Sequence, residues 1–271
     1  MLCTASEKDR KRYIYISIMS ATIVAVWAVF QYFGSWIVSS RYPWRTISTL
    51  GNPNYLAGYL LMILPLFQRV RSPEWWIIAW VLVFAILTTG SYIGIGLLGC
   101  YLLYQCIRVV LGIAPSKAWL MTLIVLGVTI VWGYGFIASD KLLSLTSRFV
   151  LMRESISMMF NEPLSLLVGF GPDSLIHHFG WVRSDIVSAY FPSWEIIDSS
   201  HNMLIDIWFQ YGILPIMTIG YWLYRIWRTQ KEDIQIAVLL GIWFLLLNVF
   251  VVVHLVLLAI LMIAREKVSS S

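Results

Sequence analysis

The residues able to do chemistry crowd into one stretch of the chain. Between Ala138 and Ser200, and in the first turns of the apolar run that follows, lie Asp140, Glu154, Glu162, Asp173, Asp185, Glu195, Asp198 and Asp206, eight of the 14 acids. The same stretch holds Arg148, Arg153 and Arg183, with His177, His178 and His201. Ser199-Ser200-His201-Asn202 stands immediately before an apolar run, where the unpaired N–H groups and positive dipole end of a new helix favour an anion. An imidazole there is held toward its neutral form and can act as a general base near neutral pH. On position alone, a helix cap or an interface residue is the first reading. Asp206 follows Asn202 by four residues and so shares its helix face, and an ionisable group inside an apolar run is a functional candidate. For His254, among valines, a hydrogen bond to a neighbouring helix is sufficient explanation.

Several chemistries are not expected. The pair His177-His178 and the distant His201 match no His-Glu-x-x-His spacing, and Cys3, Cys100 and Cys106 form neither a metal clip nor a disulfide framework, so no metal is expected. There is no Walker loop, dinucleotide fingerprint or Gly-x-Ser-x-Gly elbow, and no cofactor is expected.

The elements that must position these residues are apolar helices. Of 271 residues, 59% are hydrophobic and only 12% charged, with a mean hydropathy of +0.78, which excludes an ordinary soluble domain. The net charge of +5 does not point to nucleic acid, because Lys and Arg sit mainly in short connections between apolar runs, where they set topology. Lys8, Arg10, Lys11 and Arg12 precede the first run, Tyr13 to Phe33, and place the N-terminus in the cytoplasm. Further runs are Tyr55 to Phe67, Trp75 to Thr88, Tyr92 to Ile107, Ala118 to Ile137, Asn202 to Tyr224 and Ile234 to Ala264. The last would span roughly 46 Å as one helix, too long for one crossing and too short for two, so seven spans are expected, with eight as the alternative. The expected fold is an all-α integral membrane bundle of about seven spans with one large extracytoplasmic loop. Residues 1–137 form five spans, 138–201 the loop, and 202–271 two more spans.

A connector of this length is usually a functional segment. Its first part, Ser147 to Phe160, carries Phe149, Met152, Ile156, Met159 and Phe160 at helical spacing, which predicts an amphipathic helix along the membrane surface. Arg148 and Arg153 on that helix are interfacial anchors or ligand contacts. Gly169-Phe170-Gly171-Pro172 then forces a turn.

Three segments in order carry a family resemblance. Gly51-Asn52-Pro53-Asn54-Tyr55-Leu56-Ala57-Gly58 with Leu64-Pro65-Leu66; Arg148 followed by Asn161-Glu162-Pro163-Leu164 and Gly169-Phe170-Gly171-Pro172; and His201-Asn202 followed after nine residues by Gly212 together resemble the O-antigen ligase and polymerase superfamily. The resemblance covers roughly Gly51 to Gly212. It implies a membrane-embedded, metal-independent inverting glycosyltransferase, acting at the outer face of a bacterial inner membrane. Such an enzyme moves a glycan from undecaprenyl diphosphate to a glycan or lipid acceptor. His201 is implied as the base that deprotonates the acceptor hydroxyl and Arg148 as a diphosphate contact. Asn52, Asn54 and Asn202 in the matching motifs, with Arg153, are expected substrate contacts, and Arg41 and Arg45 are added by their location before the Asn52 turn. This agrees with the need of a diphosphate leaving group for multi-donor cations.

The chain also departs from the family. Ser91-Tyr92-Ile93-Gly94 stands where Ser-Arg-Gly is usual, Pro215 replaces a glycine, and Met152 a tryptophan. Typical members have additional N-terminal spans, which a second membrane chain would supply. A non-catalytic subunit that binds lipid-linked glycan, or completes a partner's bundle, is therefore the alternative. A transporter is disfavoured because paired Gly/Pro-broken helices are not evident.

Overall fold

The computed structural model describes residues 7–34, 44–69, 74–112, 139–181, 183–191, 196–229 and 232–246. Within these the chain is helical, with no strand. It divides into two compact units.

The first unit holds α1 (Glu7–Phe33), α2 (Pro53–Ile63), α3 (Glu74–Thr88), α4 (Tyr92–Leu111) and most of a last helix, Glu232–Leu246. In α1, Ile14, Ile18, Ala21, Ala25 and Ala28 recur at helical spacing and are buried, and α1 packs on α3. Its other face is apolar too, with Ile16, Met19, Ile23, Trp27 and Phe30 exposed. α2 is the centre of the unit: every residue from Leu56 to Phe67 is buried, and it touches α1, α3 and α4. Asn52 caps α2 by accepting from the Asn54 amide at 2.8 Å, with Pro53 at the first helical position, where its missing N–H costs nothing. A side chain at Gly94 would meet Ala57 Cβ at 2.5 Å, so α2 and α4 approach as closely as a glycine permits. Arg108 at the end of α4 pairs with Glu232 at 2.7 Å, and the Tyr104 hydroxyl donates to the same carboxylate, fastening the last helix to α4.

Two described helices, over Lys11–Phe33 and Tyr92–Leu111, are long and apolar enough to cross a membrane, and Trp75–Thr88 is a shorter apolar helix. The run Ala118 to Ile137 and the end of the last run, beyond Leu246, lie outside the described residues.

The second unit contains α5 (Ser139–Asn161), α6 (Ser165–Val168), α7 (Ser174–Trp181), α8 (Asp185–Tyr190), α9 (Met203–Tyr211) and α10 (Ile213–Thr229) as far as Arg225. Its core joins Leu151, Met159, Leu175, Phe179, Val187, Phe191, Ile197 and Phe209. The helix expected over Ser147 to Phe160 exists and begins earlier. The face it buries is Leu151, Ser155 and Met159, while Phe149 and Phe160 are exposed.

The run Asn202 to Tyr224 is interrupted at Gly212, and the cause is a backbone crossing. Gly212 has φ of 74°, and a Cβ there would collide with the Leu167 carbonyl; Gly169, also at 74°, would collide with the Gln210 backbone. Phe170 and Gly171 donate to the carbonyls of Phe209 (2.8 Å) and Gln210 (2.9 Å), Trp208 Nε1 donates to Leu166 O (3.0 Å), and the Asp173 amide donates to Gln210 Oε1 (3.0 Å). The Gly169 turn is thereby bolted across the end of α9.

Candidate active site around His201

The site is built on the turn that enters α9. Asp206, one turn into the helix and buried, receives three hydrogen bonds: from Ser199 Oγ (2.7 Å), the Ser200 amide (2.7 Å) and Ser200 Oγ (2.6 Å). Asn202 caps α9 by accepting from the amides of Leu204 (3.0 Å) and Ile205 (3.2 Å). Ser199 Oγ also accepts from the His201 amide at 2.9 Å. With both flanks tied down, His201 is held at φ of 60°, a left-handed conformation that histidine adopts more readily than most residues but that still signals strain.

The imidazole is partly buried, and its surroundings disfavour a second positive charge. Burial, then the Arg148 guanidinium, push its pKa down to about 4, against a smaller upward pull from Asp198. His201 is therefore neutral throughout the physiological range, and no hydrogen bond to its ring is made among the described residues. Arg148 comes from the face of α5 that turns inward and is partly buried. Burial lowers its pKa, but a guanidinium remains a cation at any ordinary pH. A neutral imidazole beside a fixed cation can accept a proton from a hydroxyl while the cation holds an anionic leaving group.

The other expected site residues are placed as follows. Arg153, five residues beyond Arg148 and so about 140° further round the helix, is exposed. The Asn202 side-chain oxygen is committed to the cap. In the first unit, Asn52 caps α2, and Asn54 Oδ1 accepts from Arg45 Nη2 at 3.4 Å, while Arg45 Nε donates to Thr89 O at 2.7 Å. Arg41 lies outside the described residues. His178 is engaged elsewhere, its Nδ1 2.8 Å from Ser174 O and its ring against Phe170 and Phe209. No cluster of three or more His, Cys, Asp or Glu suited to a metal occurs among the described residues.

Two contributors were not foreseen. Asp198 tempers the depression of the His201 pKa, and the Ser199–Ser200 pair links His201 to Asp206. Neither serine forms a capping box, since the cap is Asn202 and the serines stand seven and six residues before Asp206, so no local sequence signal announces this clamp. Comparison with known proteins gives no matching family model, no matching curated protein and no matching solved structure.

Proposed function

We propose that this chain is a membrane glycosyltransferase that moves a glycan from an undecaprenyl-diphosphate carrier to an acceptor hydroxyl on the extracytoplasmic side of a bacterial inner membrane. The observation that carries the reading is the juxtaposition of a neutral His201 with Arg148. His201 takes the proton of the acceptor hydroxyl, and the oxygen attacks the anomeric carbon of the donor sugar. The bond from that carbon to the diphosphate oxygen breaks with inversion. The departing diphosphate keeps the electron pair and is stabilised by Arg148. Diphosphate binding also makes the base stronger: its negative charge offsets Arg148 and raises the His201 pKa, so proton acceptance improves when the donor is in place.

The membrane setting is supported by α1, α3 and α4, whose outward faces are apolar, including Ile23, Phe30, Trp76, Ile77, Trp80, Leu102 and Val109. A bundle of about seven spans, with the N-terminus cytoplasmic and residues 138–201 outside, is the arrangement proposed. One part of that alternation has structural support: the end of α1, the start of α2 and the α3–α4 turn meet in the first unit, as three ends on one side must. Thr46 bonds Thr88 through backbone (3.2 Å) and hydroxyl (2.9 Å), and Gln31 accepts from the Ser48 amide at 2.7 Å.

The test is transfer by purified protein incubated with lipid-linked oligosaccharide and candidate acceptors, read as a mobility shift. His201→Asn, which tolerates the left-handed backbone, should abolish the shift while the protein inserts and folds; retained transfer sinks the reading. Tyr92, in place of the family's arginine, favours the second reading of a non-catalytic glycan-binding subunit. That subunit would bind the same oligosaccharide without transferring it.

A further inference from the structure

A cleft of about 180 Å³ opens between α3 and α4, with the turn Leu64–Arg69 that follows α2 behind it. It is smaller than the roughly 300–1,000 Å³ of sites that enclose a drug-sized ligand, so it seats part of a molecule. Its mouth is apolar: Trp76, Trp80, Leu102 and Val109 line it and are exposed, toward hydrocarbon in the proposed setting.

What distinguishes the cleft from ordinary lipid-facing surface is that Gln68, Tyr101 and Gln105 also line it. The Tyr101 hydroxyl oxygen accepts from Gln68 Nε2 at 3.3 Å and from Gln105 Nε2 at 2.9 Å. A phenol that accepts twice still carries its own proton, and that proton meets no acceptor among the described residues. Tyr101 is buried and its surroundings are apolar, so an unmet donor there is costly, and a guest that supplies an oxygen is favoured.

Depth narrows the guest. Gln105 and Tyr101 stand three and seven residues before Arg108, which pairs with Glu232, so they lie about 5 and 10 Å along α4 from that charged pair. The polar layer on each side of a bilayer is about 5–8 Å thick, which puts the donor near the edge of the hydrocarbon. Exposed Trp76 and Trp80, early in α3, suit the same level. A membrane glycerolipid presents its ester carbonyl at that edge, joined to an apolar chain. An isoprenoid chain has no carbonyl and would leave the donor unmet.

We infer that the α3–α4 cleft binds one acyl chain of a membrane glycerolipid, with the ester carbonyl accepting from the Tyr101 hydroxyl. The choice of a lipid rests on the membrane setting proposed above; the cleft and its polar trio are independent of glycan transfer.

The experiment places the full chain in nanodiscs of dialkyl phosphatidylcholine, whose ether links lack the carbonyl. A trace of diacyl phosphatidylglycerol with a diazirine in its acyl chain is photolysed and the label mapped by mass spectrometry. Label should fall on residues 76–83 and 101–109. Diacyl phosphatidylglycerol should displace it about fivefold better than dialkyl phosphatidylglycerol, the worth of one neutral hydrogen bond, and undecaprenyl diphosphate no better than the dialkyl lipid. In Tyr101→Phe the diacyl and dialkyl lipids should compete equally. Label elsewhere, equal competition in the wild type, or stronger displacement by undecaprenyl diphosphate overturns the inference. So does a Tyr101→Phe variant that loses thermal stability yet keeps the preference for the ester, since the trio would then be structural only. Labelling needs no turnover, so a chain that labels as expected without transferring glycan leaves the cleft standing. Transfer without the ester preference removes only the cleft, and a chain that stays out of the nanodisc removes the membrane setting and the lipid with it.

Discussion

Ser200 is bound twice to one oxygen of Asp206, through its amide at 2.7 Å and its hydroxyl at 2.6 Å. This pair, rather than any contact of the imidazole, sets where His201 stands, because it fixes the residue immediately before it. Replacing Asp206 by Asn keeps the volume but removes the negative acceptor and brings an N–H₂ group against a hydroxyl. Bonds to a charged partner are worth about 1.5–3 kcal/mol, so Asp206→Asn should destabilise the second unit by about 2 kcal/mol. It should also lower kcat more than it raises KM, since binding groups stay while the base is misplaced. Urea unfolding and steady-state transfer assays check the two halves; a variant of wild-type stability and kcat would show that the turn holds itself.

His201 titrates far below an ordinary histidine, and the sign of every pH effect follows. In the proposed transfer the neutral ring is the base, so activity should fall as pH falls through its pKa. For the free protein this acid limb, seen in kcat/KM, should lie at about pH 4. With donor bound the imidazole pKa rises, so the acid limb of kcat should lie at higher pH than that of kcat/KM. Arg148→Gln removes a repelling cation and should raise the ring's own pKa, measured by NMR titration of the labelled imidazole, whereas Asp198→Asn should lower it. Stability moves in step. The depressed pKa contributes stability that is present above pH 6.5 and lost as pH falls toward about 4, because the unfolded chain binds the proton first. His201→Asn should lack that contribution, so its stability should fall less steeply than wild type across that window.

The parts of this arrangement legible in the sequence are those carried by local signals. The apolar runs from Tyr13, Trp75 and Tyr92 announce α1, α3 and α4, and the Ser147 to Phe160 periodicity announces α5. What was not legible is which face of α5 meets protein: Phe149 and Phe160 are exposed while Leu151 and Met159 are buried. Periodicity identifies an apolar face by contrast with a polar one, and a helix at a bilayer surface can be apolar toward both protein and lipid. His201 and Arg148 were legible as candidates but their proximity was not, since it depends on α9 packing across α5. The break at Gly212 was hidden for the same reason: hydropathy reads Asn202 to Tyr224 as continuous, and only the crossing with Gly169 requires the interruption.

Arg148 tests whether the cation acts as a point charge or as a fork. If the diphosphate is held bidentately, Arg148→Lys retains the charge but forfeits the paired geometry, and transfer should fall by at least about tenfold. Affinity for lipid-linked oligosaccharide should weaken with it, measured by binding in nanodiscs. Normal donor affinity in the lysine variant would remove Arg148 from the diphosphate site and leave it only its electrostatic effect on His201.

The crossing of Gly169 and Gly212 makes the most demanding structural prediction. Both residues need positive φ, and at both a methyl group would strike backbone rather than a movable side chain, so neither collision is relieved by a rotamer change. Alanine at either position should cost about 4 kcal/mol or more, in the range reserved for strain at special backbone positions. Because each glycine makes room for the strand of chain that carries the other, the first substitution already pries the two turns apart. The double variant should therefore be less damaged than the sum of the singles, a coupling that thermal unfolding of all three variants measures directly. The hydrogen bonds from Phe170 and Gly171 to the end of α9 should open in every one of them, visible as faster amide exchange at those two residues. Strict additivity of the two substitutions would mean that the turns are held apart from one another and that the break at Gly212 has a local cause.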